Sequence, residues 1–207
     1  SMNFILSLSL MLAQLASPAS ASLYPQKQTQ SLIKTLQAIQ SAEPGKPLSK
    51  KSRLTNADVY KTLDQFIDFK ALAEAPLSNY KNSFSSRDLR KIQGHFREAM
   101  RLVAYQKASI LLNEAELTFR PTPTPPSNDV TVDLYVESED LEMELVFHWG
   151  KQAKKLVLID MSFDGESLVE DYKNQFGKVI KTEGPKALMA KLEKRLKEVK
   201  KKSRPQN

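Results

Sequence analysis

The sequence predicts an α+β domain in which an antiparallel sheet of about four strands is covered on one face by amphipathic helices. Apolar residues recur every three to four positions in residues 27–108 and 166–200, which is the period of a half-buried helix. Between these ranges they alternate with polar residues, which is the period of a strand with one buried face. Helices, then strands, then helices favour a sheet with its helices gathered on one side.

The N-terminal segment has the features of an export signal peptide, which we predict at residues 1–21. An apolar run spans residues 4–15, and Ala19-Ser20-Ala21 fits the small-residue rule for cleavage, although no Lys or Arg precedes the run. The alternative is an N-terminal helix buried in the fold. If the leader stays attached, we expect it to pack into an apolar groove, because burial of its Leu and Ile side chains is favourable.

The rest of the chain predicts a single domain at residues 22–200. An apolar stripe predicts the first helix over residues 27–41, and a loop rich in Pro, Gly and Lys follows at residues 41–53. Thr55 and Asp58 have the spacing of a capping box and predict the start of the second helix.

The next helical segment, residues 68–80, contains Pro76, which must bend or end the helix because proline lacks the amide donor. Ser85 and Asp88 form a second capping box. They predict a long amphipathic helix over about residues 86–108, with basic side chains away from its apolar stripe.

Alternating residues then predict the strands 109–120, 128–137, 141–149 and 154–163. Short polar connections at residues 138–140 and 150–152 predict antiparallel hairpins. The last of these strands has apolar residues on both faces, which is typical of a central strand.

Two helices are predicted after the sheet, at residues 166–183 and 185–200. Gly184 can end the first helix, and Pro185 suits the first turn of the second. Asp160 and Asp164 could form an acid pair near the last strand, but we interpret them as a polar strand position and a turn former.

Composition excludes several kinds of site. The chain contains no cysteine, which excludes disulfides, thiolate metal sites and cysteine nucleophiles. Its two histidines, His95 and His148, fall on separate predicted elements, so we expect no zinc site and no metal or other cofactor. The net charge of +7 is concentrated at the end of the chain, where a basic flexible tail is predicted at residues 201–207. Such a tail can meet an anionic membrane or nucleic acid, or can be a solvated helix end.

Two long stretches of the chain occur in a characteristic order. Residues 146–196 run from a strand with Phe147 and Trp149 through LVLIDMSFDGESLVEDYKNQF to a closing EGPKALMAKL. Upstream, residues 67–105 put a short helix with small residues before a Ser-started helix that bears Phe and Tyr. Together these stretches resemble the MlaC family of periplasmic phospholipid carriers, also called toluene-tolerance auxiliary components.

The resemblance implies a fold and a function. The sheet and helices would enclose an apolar cavity for the acyl chains of a phospholipid, with the headgroup near the mouth. A monomer would shuttle the lipid between an outer-membrane lipoprotein complex and an inner-membrane ABC transporter complex, which maintains outer-membrane lipid asymmetry. The expected location is the periplasm, and neither enzymatic activity nor nucleic-acid binding is expected.

For the lipid-binding wall we select apolar residues from the sheet and from the helices that cover it. They are Phe96, Met100, Leu134, Leu145, Phe147, Trp149, Val169, Tyr172 and Phe176. We expect Tyr172, Phe176 and Val179 to face Leu145, Phe147 and Trp149. Each of these residues could instead fill an ordinary core, and Trp149 could lie at the mouth or in the core. Candidates for a phosphate contact are Arg97, Arg101 and Lys173.

Three alternatives remain open from the sequence. The first is a carrier of another apolar lipid such as a hopanoid, since apolar burial is not directional. The second is a small-molecule enzyme on a cone-like α+β fold, although His95 and His148 have no obvious partners and His148 lies on the opposite strand face from Phe147. The third is a nucleic-acid module that uses the basic tail, although no aromatic residues are interleaved with its lysines.

Overall fold

A computed structural model describes residues 24–121 and 127–203. The predicted signal peptide, its expected packing and residues 204–207 of the predicted tail lie outside these ranges. The helices are α1 (Pro25–Gln37), α2 (Lys50–Asp64), α3 (Phe69–Glu74), α4 (Ser86–Ala99), α5 (Tyr105–Glu114), α6 (Leu168–Glu183) and α7 (Pro185–Ser203). Among them, none combines the length and the apolar character that crossing a membrane requires.

The strands form one antiparallel sheet in which each strand pairs with the next along the chain. They are β1 (Glu116–Phe119), β2 (Asp129–Val136), β3 (Leu141–Gln152), β4 (Lys155–Phe163) and β5 (Glu166–Ser167). The sheet thus has five strands, against the four or so predicted, because the two residues of β5 pair with the end of β4. The α+β class with a meandering antiparallel sheet is confirmed.

Several predicted helix boundaries are confirmed. A 3₁₀ helix, Ala75–Ser83, replaces the α-helix at Pro76. Ser85 and Asp88 cap α4 reciprocally, with each side chain accepting from the backbone amide of the other residue. Gly184 ends α6 with a φ of 90°, a backbone conformation that glycine adopts easily, and α7 begins at Pro185.

Two predictions about helices were wrong. The start of α2 lies at Lys50, because the Ser49 hydroxyl accepts from the Ser52 amide at 3.0 Å and the residues that follow are good helix formers. Thr55 therefore lies inside α2. The long helix does not end near residue 108 but continues through a π-helical turn, Met100–Ala104, into α5. Of the strand predicted at residues 109–120, only residues 116–119 form a strand, so β1 is much shorter than predicted.

The second predicted hairpin turn was also misplaced. Residues 150–152 extend β3 and pair with the start of β4. The chain reverses at Ala153 and Lys154, where Ala153 has a φ of 52°. A polar sequence alone did not reveal that these residues still belong to the strand. At the C-terminal end, Lys201–Ser203 continue α7, so this part of the predicted flexible tail is helical.

The buried apolar residues form two clusters. The sheet cluster joins the inner face of β2, β3 and β4 to α1, α2, α3 and α5, and Val132, Leu63 and Tyr105 are among its buried members. The helix cluster joins α3, α4, α6 and α7 away from the sheet, and its buried members are Ala73, Leu77, Phe84, Ile92, Phe176, Ile180 and Leu188. Phe96 packs against both clusters.

Candidate functional site

The inner face of the sheet supplies four of the predicted lipid-binding residues. Alternation in β2 and β3 points Leu134, Leu145, Phe147 and Trp149 to the same side. All four are at most 4 % exposed and belong to the sheet cluster. The indole N–H of Trp149 donates to the buried Thr29 hydroxyl of α1 at 2.8 Å. Of the two places considered for Trp149, the mouth and the core, the structure shows the core.

The predicted residues of α6 are divided between the two clusters. Tyr172, Phe176 and Val179 pack in the helix cluster, whereas Leu145, Phe147 and Trp149 lie in the sheet cluster. The expectation that these two sets face each other was therefore wrong. The reason is that α6 packs mainly against the 3₁₀ helix and α7, and its hydrogen bond to the sheet lies in its first turn, where the Val169 amide donates to Asp160.

Half-buried apolar residues of α4, the π-helical turn, β4 and α6 pack against one or both clusters, and we call this set the seam. Its members are Phe96, Met100, Met161, Val169 and Tyr172. Met161 pairs with Phe147 across β3 and β4, so the seam borders the inner face of the sheet. The Phe96 ring meets Tyr172 edge-on at 5.3 Å between centroids. The seam thus contains four of the nine predicted wall residues, and adds Met161.

The seam coincides with an irregularity in the long helix. The π-helical turn begins at Met100, one turn after Phe96, and all five of its residues are half-buried. Single π turns inside α-helices are rare and frequently occur at functional sites. Met100 and Met161 suit a wall that must fit varied chains, because methionine side chains are flexible and polarisable.

Asp160 fixes the first turn of α6 beside the seam. Its carboxylate accepts from the Val169 amide at 3.0 Å, from its neighbour Met161 at 2.8 Å and from the Ser167 hydroxyl. The Ser167 hydroxyl in turn accepts from the Glu170 amide as the helix cap. Asp160 therefore ties β4 to α6, a role that its position in a strand did not reveal. Asp164 is a turn former with a φ of 50°, as interpreted from the sequence.

An ionic cluster lies next to the seam. Asp64 accepts from Arg101 Nε at 3.0 Å and from the Tyr105 hydroxyl at 2.9 Å, and Arg97 Nε lies 3.8 Å away. Burial raises the pKa of Tyr105 well above its ordinary range, and the adjacent Asp64 carboxylate raises it further. Arg97 also stacks over the Phe69 ring at 5.1 Å.

The three residues predicted to contact the phosphate differ in whether a carboxylate already pairs with them. Arg101 is held by Asp64, whereas Arg97 makes only a long contact with this carboxylate and its side chain is 47 % exposed. Lys173 is half-buried on α6 and makes no ion pair with the residues that the structure describes. Two arginines share one carboxylate, so a positive charge remains beside Phe96 and Met100.

The outer face of the sheet contains a chain of polar contacts that the sequence did not reveal. His148 bridges Asp129, 3.0 Å from its Nδ1, and Ser162, 2.7 Å from its Nε2. The order matches a hydrolytic Ser-His-Asp triad. However, Ser162 is 7 % exposed and its strand pairs on both sides, so the surrounding amides belong to the sheet and are not free to hold an oxyanion. The arrangement ties three strands together.

Two grooves lie away from the seam. One, of about 400 Å³, runs between α4 and α7 and is lined by Phe84, Lys91, His95, Lys186 and Met189 among others. The other, of about 630 Å³, lies over β1, β2 and β3 and is lined mainly by acidic side chains. In the described part of the chain, no group of three or more His, Asp or Glu side chains is arranged to hold a metal ion.

The family model for MlaC protein matches residues 26–194. The chain belongs to the MlaC family. The match covers both clusters and the whole seam, and it confirms the resemblance seen in the sequence. Among curated proteins, none matches the chain significantly.

A solved structure shares the MlaC-type fold of this chain. It is a phospholipid-binding protein from Ralstonia solanacearum in complex with a phospholipid. It is 18 % identical to this chain and aligns with a TM-score of 0.64, covering 87 % of this chain and 98 % of its own. At this identity the likeness establishes the fold alone.

Proposed function

We propose that this MlaC protein is a periplasmic phospholipid carrier that holds the acyl chains of its lipid along the seam. The observation that supports this most is the family match over residues 26–194, which contains every residue of the seam. The similar fold of a phospholipid-binding protein in complex with a phospholipid points the same way. The seam supplies what such a ligand requires, which is apolar surface that the protein buries only in part.

Burial of acyl chains supplies the affinity. Each methylene group transferred from water to an apolar surface contributes about 0.8 kcal/mol, so two chains need no strong headgroup contact. The chains would separate α6 from the sheet between Val169 and Met100, and the buried Leu134, Leu145, Phe147 and Trp149 would form the packed layer behind them on the sheet side. The buried Phe176 would lie behind them on the helix side. Phe96 and Tyr172 would border the chains on the helix side.

The headgroup would remain at the protein surface. Arg97 is the cation best placed for its phosphate, because Arg97 is exposed, adjoins Phe96 and is only weakly engaged by Asp64. Lys173 is the second candidate, since it follows Tyr172 on α6 and makes no ion pair among the described residues.

The carrier would work as a monomer between two membranes. It would exchange lipid with an outer-membrane lipoprotein complex and with an inner-membrane ABC transporter complex, and so maintain the lipid asymmetry of the outer membrane. Membership of the MlaC family supports this part of the proposal. Binding and release of an intact lipid involve no bond cleavage, so no catalytic residue is assigned.

The test is to recover the protein from the periplasm after export and to measure its mass under native conditions. We expect a mass excess of one phospholipid that solvent extraction removes, and lipid analysis of the extract identifies it. A mass without ligand, together with no uptake from vesicles containing labelled phospholipid, would contradict the proposal. An extract that contains a hopanoid instead would keep the carrier and change its cargo.

A further inference from the structure

The C-terminal end of α7 carries most of the net charge of the chain. Residues 194–203 hold six cationic side chains and one carboxylate, a net +5, whereas the whole chain has +7. The family match ends at residue 194, so all of this basic segment except Lys194 lies beyond the part of the chain that the family describes. The lipid-binding role proposed above leaves this charge unexplained.

The helix separates its apolar and basic residues onto opposite sides. Leu188, Leu192 and Leu196 recur every four residues and are buried or half-buried against the domain. Lys194, Lys197 and Lys201 recur at three and four residues on the opposite side, and all three are exposed. In the described residues none of these lysines makes an ion pair, so their charge is available to a partner. We call them the basic face.

The end of α7 that carries the basic face packs next to part of the seam. Lys200 Nζ pairs with Glu98 at 2.7 Å, two residues before Met100, and α7 packs against the π-helical turn. On the other side, Arg195 approaches Tyr172: burial raises the pKa of the Tyr172 hydroxyl, and the charge of Arg195 acts against this rise. The Lys200–Glu98 ion pair and the packing of α7 on α4 and the π-helical turn place the end of α7 next to Phe96 and Met100.

We propose that the basic face binds the surface of a bilayer that contains anionic phospholipid and so holds the seam at the membrane. This inference rests on the proposed lipid-carrier function. A lysine near an anionic bilayer surface contributes about 1 kcal/mol, or about fivefold in affinity, and the effect is limited to about a Debye length. Three lysines on one side of a rigid helix can reach the surface together.

A bilayer suits this face better than a nucleic acid does. No aromatic side chain lies among residues 194–203 to stack on bases, which is how single strands are usually held. The adjoining seam is apolar and half-buried, and such a surface is complementary to a lipid acyl chain.

The test uses the full chain recovered from the periplasm after export and measures flotation with vesicles. The vesicles contain phosphatidylglycerol in phosphatidylcholine, and phosphatidylcholine alone serves as the neutral surface. The variant is K194Q/K197Q/K201Q. The control is K34Q/K51Q/K107Q, which removes the same charge from exposed lysines of α1, α2 and α5.

We expect binding to the anionic vesicles only, with the affinity of the K194Q/K197Q/K201Q variant lowered by about a hundredfold at low salt, since three lysines act at about fivefold each. The control should retain most of its binding. Raising the salt from about 0.02 to about 0.5 M, which shortens the Debye length from roughly 20 Å to about 4 Å, should release the protein.

An equal loss of affinity for the anionic vesicles in the variant and the control would overturn the inference, and so would equal binding to the neutral vesicles. A short DNA duplex that competes with the vesicles at equal affinity would overturn the assignment of a lipid surface. Native mass measurement separates this result from the carrier proposal. A variant that still carries one phospholipid but binds vesicles like the original chain overturns the basic face alone, whereas protein without lipid overturns the carrier function.

Discussion

The inner face of the sheet and the seam beside it are built from similar apolar residues but differ in burial. Phe147 and Trp149 are 2 % and 3 % exposed, whereas Phe96, Met100 and Val169 stay half-buried although they pack against the same cluster. The sheet cluster has therefore completed its burial within the protein. The seam retains exposed apolar surface, and a bound ligand that covers it would gain favourable free energy.

The difference follows from how each region is held. Trp149 donates to Thr29, and the Gln28 amide donates to the Leu156 carbonyl at 3.1 Å, so α1 is tied closely over the sheet. By contrast, α6 meets the sheet at its first turn, where Asp160 holds Val169, and then packs on the helices.

The largest effect is expected on stability, when a side chain of the buried sheet cluster is truncated. Phe147→Ala should lower the free energy of unfolding by about 3–5 kcal/mol, because it leaves a cavity in a packed region. Phe163→Ala is the control, since this residue of the adjacent strand is 40 % exposed and should lose far less. Urea unfolding measures both. Similar losses would mean that the sheet cluster is not the closed layer described here.

The next effect concerns Asp64, which links the sheet cluster at Tyr105 to Arg97 beside the seam. Tyr105→Phe should lower the free energy of unfolding by about 1–3 kcal/mol at neutral pH, because Asp64 loses a buried partner. The pKa of Tyr105 is raised in the fold above its ordinary 10.0, so the contribution of the hydroxyl is present below that pH and is lost as the pH rises above it.

Unfolding measured from neutral to strongly alkaline pH tests whether the stability falls in this direction. The original chain should lose stability more steeply than Tyr105→Phe above about pH 10, and the difference between them should shrink. Parallel curves for the two proteins would show that Tyr105 is not held protonated by its burial beside Asp64.

A third prediction places the ligand in the seam rather than in the helix cluster. Val169→Trp should fill the seam and lower phospholipid affinity by about tenfold, which corresponds to about 1.4 kcal/mol. Val179→Trp makes the same change ten residues later on α6, inside the helix cluster, and should leave lipid affinity nearly unchanged. Uptake of labelled phospholipid from vesicles measures both. The reverse order would move the ligand to the helix cluster.

The smallest effect is expected on the outer face of the sheet. Ser162→Ala removes one hydrogen bond of His148, which keeps Asp129, and should lower the free energy of unfolding by about 0.5–1.5 kcal/mol. Lipid content should not change, and neither protein should hydrolyse phospholipid esters. Ester hydrolysis by the original chain that disappears in Ser162→Ala would make this region an active site and restore the enzyme hypothesis.

Much of the architecture could be predicted because local patterns agreed with the final packing. Period-two alternation placed Val130, Val132 and Leu134 on one buried face, and the capping residues at Ser85 and Asp88 set the start of α4. Prediction failed where tertiary contacts decide. Ile110 is exposed and Leu112 buried, as in a helix, yet the alternation nearby suggested a strand.

The site was predicted less completely for a physical reason. Apolar residues of a core and of a ligand wall have the same composition and period, so Phe147 and Phe96 could not be distinguished before their burial was known. Met161 was missed because its strand has apolar residues on both faces. The partners of His148 and Asp64 come from distant parts of the chain, and spacing in the sequence carries no signal for them.

The claim that acyl chains lie along the seam is tested most directly with the methionine methyl groups. Met100 and Met161 belong to the seam, whereas Met189 lines the groove between α4 and α7 and Met143 lines the groove over the sheet. Methyl NMR spectra would be recorded with a phospholipid that carries a spin label on one acyl chain. We expect the strongest broadening at Met100 and Met161, and the strongest broadening at Met189 or Met143 would contradict the placement of the acyl chains in the seam.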